Sequence, residues 1–140
     1  MYKLPIHLAL HGVLVLTTSL LGGLFLYRAI LKKKNVADWH LLHAGGSARG
    51  ILLIALAAII HIPVLSQWQL STAVWLTIFF VWTSTIAMVF RAFSGAHGFK
   101  WSGSSTNKLI YALYVSGTIA IFPACFLFIY GLFKAIVRVE

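Results

Sequence analysis

The sequence predicts an all-α integral membrane protein, a bundle of four transmembrane helices. Three observations predict it. Hydrophobic residues make up 61% of the 140 residues and charged residues only 9%, where soluble domains carry about 25% charge. The apolar residues fall into four stretches, each near the ~20 residues that cross a hydrocarbon core of about 30 Å. The stretches are continuous rather than alternating, which favours helices over an outer-membrane barrel. The same composition excludes intrinsic disorder, which needs low hydrophobicity. The length fits one domain, residues 1–140.

The first helix is expected over about 6–31, with Pro5 at a first-turn position where a missing N–H costs nothing. It is longer than a signal-peptide core and no small-residue cleavage site ends it, so it is expected to be retained. The second helix is expected over about 46–65, starting as early as residue 38 if Asp38 caps it. The third covers about 70–93. The short, uncharged loop from Pro63 to Gln69 makes the second and third helices a hairpin. The fourth covers about 108–137, capped by Asn107 or Thr106, with Pro123 inside it as an expected kink.

Charge is lopsided: 11 Lys or Arg face only Asp38 and Glu140, for a net +9. A nucleic-acid binder needs a solvated basic face, and this chain has too little polar surface to build one, so no nucleic-acid partner is expected. The excess reads instead as loop charge that orients a membrane protein. Arg28, Lys32, Lys33, Lys34, Arg91, Lys100 and Lys108 gather at loops one and three; Lys3, Lys134 and Arg138 lie on the other side. The positive-inside rule then puts both termini outside the cytoplasm. The expected location is a bacterial inner (cytoplasmic) membrane, with lipid as the surrounding partner.

Carboxylate chemistry has no material here, because Asp38 sits at a helix start and Glu140 is the last residue. There is no His-Glu-x-x-His sequence and no Gly-rich phosphate loop. Cys125 is the single cysteine, which excludes an intrachain disulfide and a cysteine metal cluster. Six histidines remain. His7 and His11 share a helix face; His40 and His43 precede or open the second helix; His61 ends it; His97 is in loop three. Each alone reads as an interfacial side chain whose polar tip reaches water.

The segment Trp39 to Gly50 stands apart. It reads Trp-His-Leu-Leu-His-Ala-Gly-Gly-Ser-Ala-Arg-Gly. Gly46 and Gly50 form a small-xxx-small pair that favours close helix packing in membranes. The alternative is a flat slot beside an imidazole, in which a planar cofactor such as haem lies with His43 as axial ligand to the iron. On a straight helix Arg49 lies about 9 Å along from His43. Arg91 is at the end of the third apolar run, on the same side. If these three approach, they form a cationic site suited to haem propionates or another anionic ligand.

These residues resemble the styrene oxide isomerases, small four-span membrane proteins. The likeness rests on His11-Gly12, on Trp39-x-x-x-His43-x-Gly45 with Gly50 opening an apolar run, on Phe93-Ser94, and on the long last helix with its proline. The resemblance implies a homotrimer that binds haem b between neighbouring subunits, with His43 as axial ligand and Trp39, Gly46, Arg49 and Arg91 around the cofactor. It implies a ferric iron acting as Lewis acid on an epoxide oxygen, followed by hydride migration to an aldehyde.

Two positions depart from the family. Arg49 stands where the family has an asparagine, and Arg91 where it has a tyrosine; those neutral residues hold the epoxide. Thr83 roughly aligns with a family aspartate. A guanidinium is a permanent cation with donors only, so the exchange points away from a neutral epoxide and towards a small apolar or anionic ligand of another kind. No catalytic residue is assigned. The competing readings are an active epoxide isomerase, a bis-His cytochrome pairing His43 with His11 or His61, and a cofactor-free structural protein.

Overall fold

A computed structural model of the chain describes residues 3–139. Four long helices account for most of them: α1 Lys3–Lys32, α2 Val36–Ile59, α3 Gln67–Ser94 and α4 Ser105–Val139. All four are long and apolar enough to cross a membrane. No strand occurs among the described residues. At about 1.5 Å per residue, the 30 residues of α1 and the 35 of α4 exceed a ~30 Å hydrocarbon core, so their ends project or the helices tilt.

Helix ends differ from the expected ones for local reasons. The turn between α1 and α2 is only Lys33, Lys34 and Asn35, and both Lys33 and Asn35 take a left-handed conformation with φ 52°. Helix α2 therefore starts at Val36, and Asp38 lies inside its first turn rather than capping it; the Asn35 position that precedes the helix makes no side-chain cap. The far end of α2 stops at Ile59 instead of reaching residue 65, because Pro63 lacks an N–H and disfavours a helical residue before it. Helix α3 starts earlier than expected, behind a capping box: Gln69 N–H donates to the Ser66 hydroxyl at 3.3 Å and Ser66 N–H donates to the Gln69 side-chain oxygen at 3.0 Å. Helix α4 is capped by the Ser104 hydroxyl, which accepts from Asn107 N–H at 3.3 Å. It continues through Pro123 as one helix.

The helices pack as α1 on α2 and α3 on α4, and α3 also touches α1 and α2, which joins the two pairs. Helix α4 packs along α3 alone, which leaves a cleft between α2 and α4. Lipid chains are as apolar as leucine, so close packing rather than water exclusion must hold such helices together. The α1–α2 seam shows how. A Cβ on Gly50 would meet the Gly12 carbonyl oxygen at 2.8 Å, and one on Gly12 would meet the Gly50 carbonyl oxygen at 2.8 Å. The two backbones cross there in direct contact.

Two clusters fill the interior. Leu8, Val15, Leu53, Ile60, Val74, Ile78 and Val81 pack at one end, and Ala29, Trp39, Leu42, Met88 and Ala92 at the other. Large apolar side chains such as Leu24, Phe122, Phe126 and Ile129 stay exposed, as a lipid-facing surface requires.

Candidate functional site

The site is built on a break in α2. Residues Leu41–Gly45 form a π-helical turn between the α-helical pieces Val36–His40 and Gly46–Ile59. Such turns carry one extra residue and recur at functional sites. His43 is at its centre. Its Nδ1 lies 3.0 Å from the Ser19 carbonyl oxygen of α1. A carbonyl only accepts, so Nδ1 carries the proton and Nε2 keeps its lone pair. Gly23 makes this approach possible: it follows Ser19 by one helical turn, and a Cβ there would sit 2.9 Å from His43 Nδ1. An imidazole fixed in this tautomer by a backbone acceptor is the usual state of a histidine that binds iron or zinc.

Trp39 is buried. Its ring stacks on Phe25 at 4.8 Å and meets Phe93 edge-on at 4.9 Å, pinning α1, α2 and α3 together just before the π-turn. Gly46 is buried against the Ser19 side chain. Its missing side chain thus admits α1, which is the close packing that a small-xxx-small pair favours rather than an open slot at that position.

Arg49 and Arg91 do come together. They line one cavity of about 560 Å³ between α2, α3 and α4, with Leu41, Met88, Phe99, Tyr111, Tyr114 and Thr118 among its walls. His43 is not among the lining residues. Of the three residues considered together from sequence, two arginines share a cavity, and the histidine faces α1.

The two arginines differ in their charge balance. Arg91 Nε donates to Asp38 Oδ1 at 2.7 Å, and its guanidinium lies 5.3 Å from the Phe99 ring centre. His97 Nδ1 lies 4.0 Å from the same carboxylate oxygen. Arg49 Nη1 donates to the Gly45 carbonyl at 2.8 Å and rests 3.7 Å from Met88 Sδ, with the guanidinium 5.7 Å from the Phe80 ring centre. Its Nε is buried without a hydrogen-bond partner. Asp38 is the only carboxylate among the described residues, so Arg49 carries its charge without an acidic neighbour there.

The other histidines lie apart. Trp82 Nε1 donates to His11 Nδ1 at 3.0 Å, and His7, His11 and Trp75 cluster around it. His40, His61 and His97 are exposed. Among the described residues no three His, Cys, Asp or Glu side chains converge on one metal position. Thr83 bonds its own helix at the Phe79 and Phe80 carbonyls, and its hydroxyl fills the space above Gly117, a packing role between α3 and α4.

Sequence reasoning missed Asp38 as a site residue. Its signal was arithmetic: an acid with no other acid near it, in a chain of eleven cations, must be paired if it is buried. The cavity tyrosines gave no signal of their own.

Comparison with curated proteins gives no match. The styrene oxide isomerase family model matches residues 6–133. With that match over most of its length, on a fold of four membrane-capable helices, the chain belongs to the styrene oxide isomerase family.

Proposed function

We propose that the protein binds haem b through His43 and that its ligand pocket has been rebuilt around arginine. The observation that carries this reading is the His43–Ser19 contact of 3.0 Å. It leaves Nε2 as a free donor for iron while the backbone holds the ring. A single imidazole suffices for haem, because the porphyrin supplies the remaining in-plane ligands. His43 is half-buried in one chain and outside the arginine cavity. The reading therefore includes a homotrimer, in which a neighbouring subunit covers the haem face that one chain leaves open. It also includes residence in a bacterial inner membrane.

Ferric haem held there supplies a Lewis-acidic centre. The protein's own residues set what reaches it. Arg91 is neutralised by Asp38, and Arg49 presents the remaining cation. Isomerisation of a neutral aryl epoxide is accordingly altered from the family reaction. The deciding experiment is the absorption spectrum of the detergent-purified protein beside that of His43→Ala. Haem in the first and none in the second is expected; full haem retention in the variant ends the reading.

Membership of the family favours a second reading, an active epoxide isomerase. The Asp38–Arg91 pair leaves Arg49 able to donate to an epoxide oxygen. Aldehyde formation from a panel of aryl epoxides supports it, and no turnover across the panel removes it. A bis-His cytochrome is less well served. His11 Nδ1 accepts from Trp82, which puts the proton of the neutral ring on Nε2 and leaves no lone pair for iron.

A further inference from the structure

We propose that the cleft between α2 and α4 binds an anionic single-chain amphiphile, a fatty-acid-like carboxylate, with its head on Arg49 and its chain lying along the cleft towards Phe128. This gives the arginine-lined pocket of the haem reading an occupant, and it does not require haem, since His43 does not line the cleft.

The first support is charge. The one carboxylate among the described residues is bound to Arg91 at 2.7 Å. Arg49 is left with a buried, unpartnered Nε and only neutral acceptors, the Gly45 carbonyl and the Met88 sulfur. A cation among apolar groups at membrane depth is costly unless paired. A guanidinium presents a planar fork of donors that matches the two oxygens of a carboxylate. Tyr111, Tyr114 and Thr118 of α4 line the same cavity and are hydroxyl-bearing residues able to donate to such a head.

The second support is shape and polarity. Beyond the arginine cavity the same two helices enclose a second one of about 250 Å³. Leu52 and Leu56 of α2 face Ile121, Cys125 and Phe128 of α4 across it. On α2 Leu52 follows Arg49 by three residues, and on α4 Ile121 follows Thr118 by three, so the two cavities succeed each other along one cleft. A cationic end followed by an apolar channel matches a head and a tail. A volume of about 250 Å³ suits one acyl chain rather than the pair on a phospholipid.

The test is calorimetric titration of laurate, and separately of dodecanol, into the haem-loaded protein in nanodiscs, with partition into empty discs subtracted. Laurate is expected to saturate at about one per chain and to bind roughly tenfold or more tighter than dodecanol, the loss expected when a charge-assisted contact is removed. Arg49→Gln is expected to reduce laurate to the level of dodecanol, and Arg49→Lys to restore part of the difference. Ile121→Trp, which fills the channel, is expected to weaken laurate at least tenfold and leave butyrate unchanged. His43→Ala is expected to keep laurate binding without haem. Equal affinity for laurate and dodecanol in the native protein overturns the proposal. So does unchanged laurate affinity in a folded Arg49→Gln protein, above all if its haem content falls, because Arg49 is then a propionate partner. If Arg49→Gln does not fold, the Ile121→Trp result decides: unchanged laurate binding there overturns the proposal equally.

Discussion

Arg91 and Asp38 form an ion pair of 2.7 Å that ties the end of α3 to the first turn of α2, with side chains only 16% and 8% exposed. Removing one partner leaves the other charged and dehydrated, at a typical cost of about 3–5 kcal/mol. Asp38→Asn and Arg91→Met are therefore each expected to lower thermal stability in detergent strongly. The double variant Asp38→Asn/Arg91→Met is expected to recover most of the loss, because no buried charge remains. A double-mutant cycle on unfolding measures this; additive losses contradict the pairing.

Gly23 lies against the imidazole of His43, and a Cβ there would come within 3.0 Å of two ring atoms. Gly23→Ala is expected to push the ring off the Ser19 carbonyl while α1 stays helical. Loss of such an orienting contact typically costs 10–100-fold in metal affinity. Haem content per chain, measured beside helicity, checks it. A Gly23→Ala protein with full haem occupancy speaks against His43 as the ligand held by this contact.

His11 is bound to Trp82 rather than poised for a metal. His11→Ala is expected to leave the haem spectrum unchanged. It orphans the Trp82 N–H in a half-buried setting, which costs about 1–3 kcal/mol, so the melting temperature falls. A change in the axial-ligand bands of the spectrum brings the bis-His reading back.

Asn107 holds loop three in place. Its side-chain oxygen accepts from Gly98 N–H at 2.9 Å, and its amide nitrogen donates to the Lys100 and Ser102 carbonyls, each at 2.8 Å. Each such bond contributes about 1 kcal/mol. Asn107→Ala is expected to free the loop that places Gly98 and Phe99 over the arginine cavity. Limited proteolysis should then cut between residues 98 and 104 faster, and laurate should dissociate faster. An unchanged cleavage pattern removes Asn107 as the latch.

The four spans were legible because the bilayer imposes them: a chain with long apolar runs must close its backbone hydrogen bonds within each run. Their ends were not, because capping is local chemistry. Ser66 and Gln69 carry the capping-box spacing, yet the apolar run from Leu70 hid it. Asp38 looked like a cap by residue type, and only folding shows that Arg91 takes it instead. In the site, His43 was legible from the small residues after it and from the family likeness. So was a separation of His43 from Arg49, since six residues on a regular helix put them about 120° apart. The π-turn was not, because a one-residue change of pitch leaves no trace in hydrophobic periodicity.

That change of pitch ties distant parts of the chain to one count of residues. A regular helix turns about 100° per residue. The wide turn at Leu41–Gly45 absorbs one extra residue; were the same residues wound as a plain α-helix, everything before them would swing by about that angle. Gly46 and Gly50 would keep their seats on α1, while Trp39 would turn off Phe25 and Phe93 and Asp38 would turn off Arg91. One widened turn inside a helix therefore holds the register between the glycine seam and the Trp39 and Asp38 contacts.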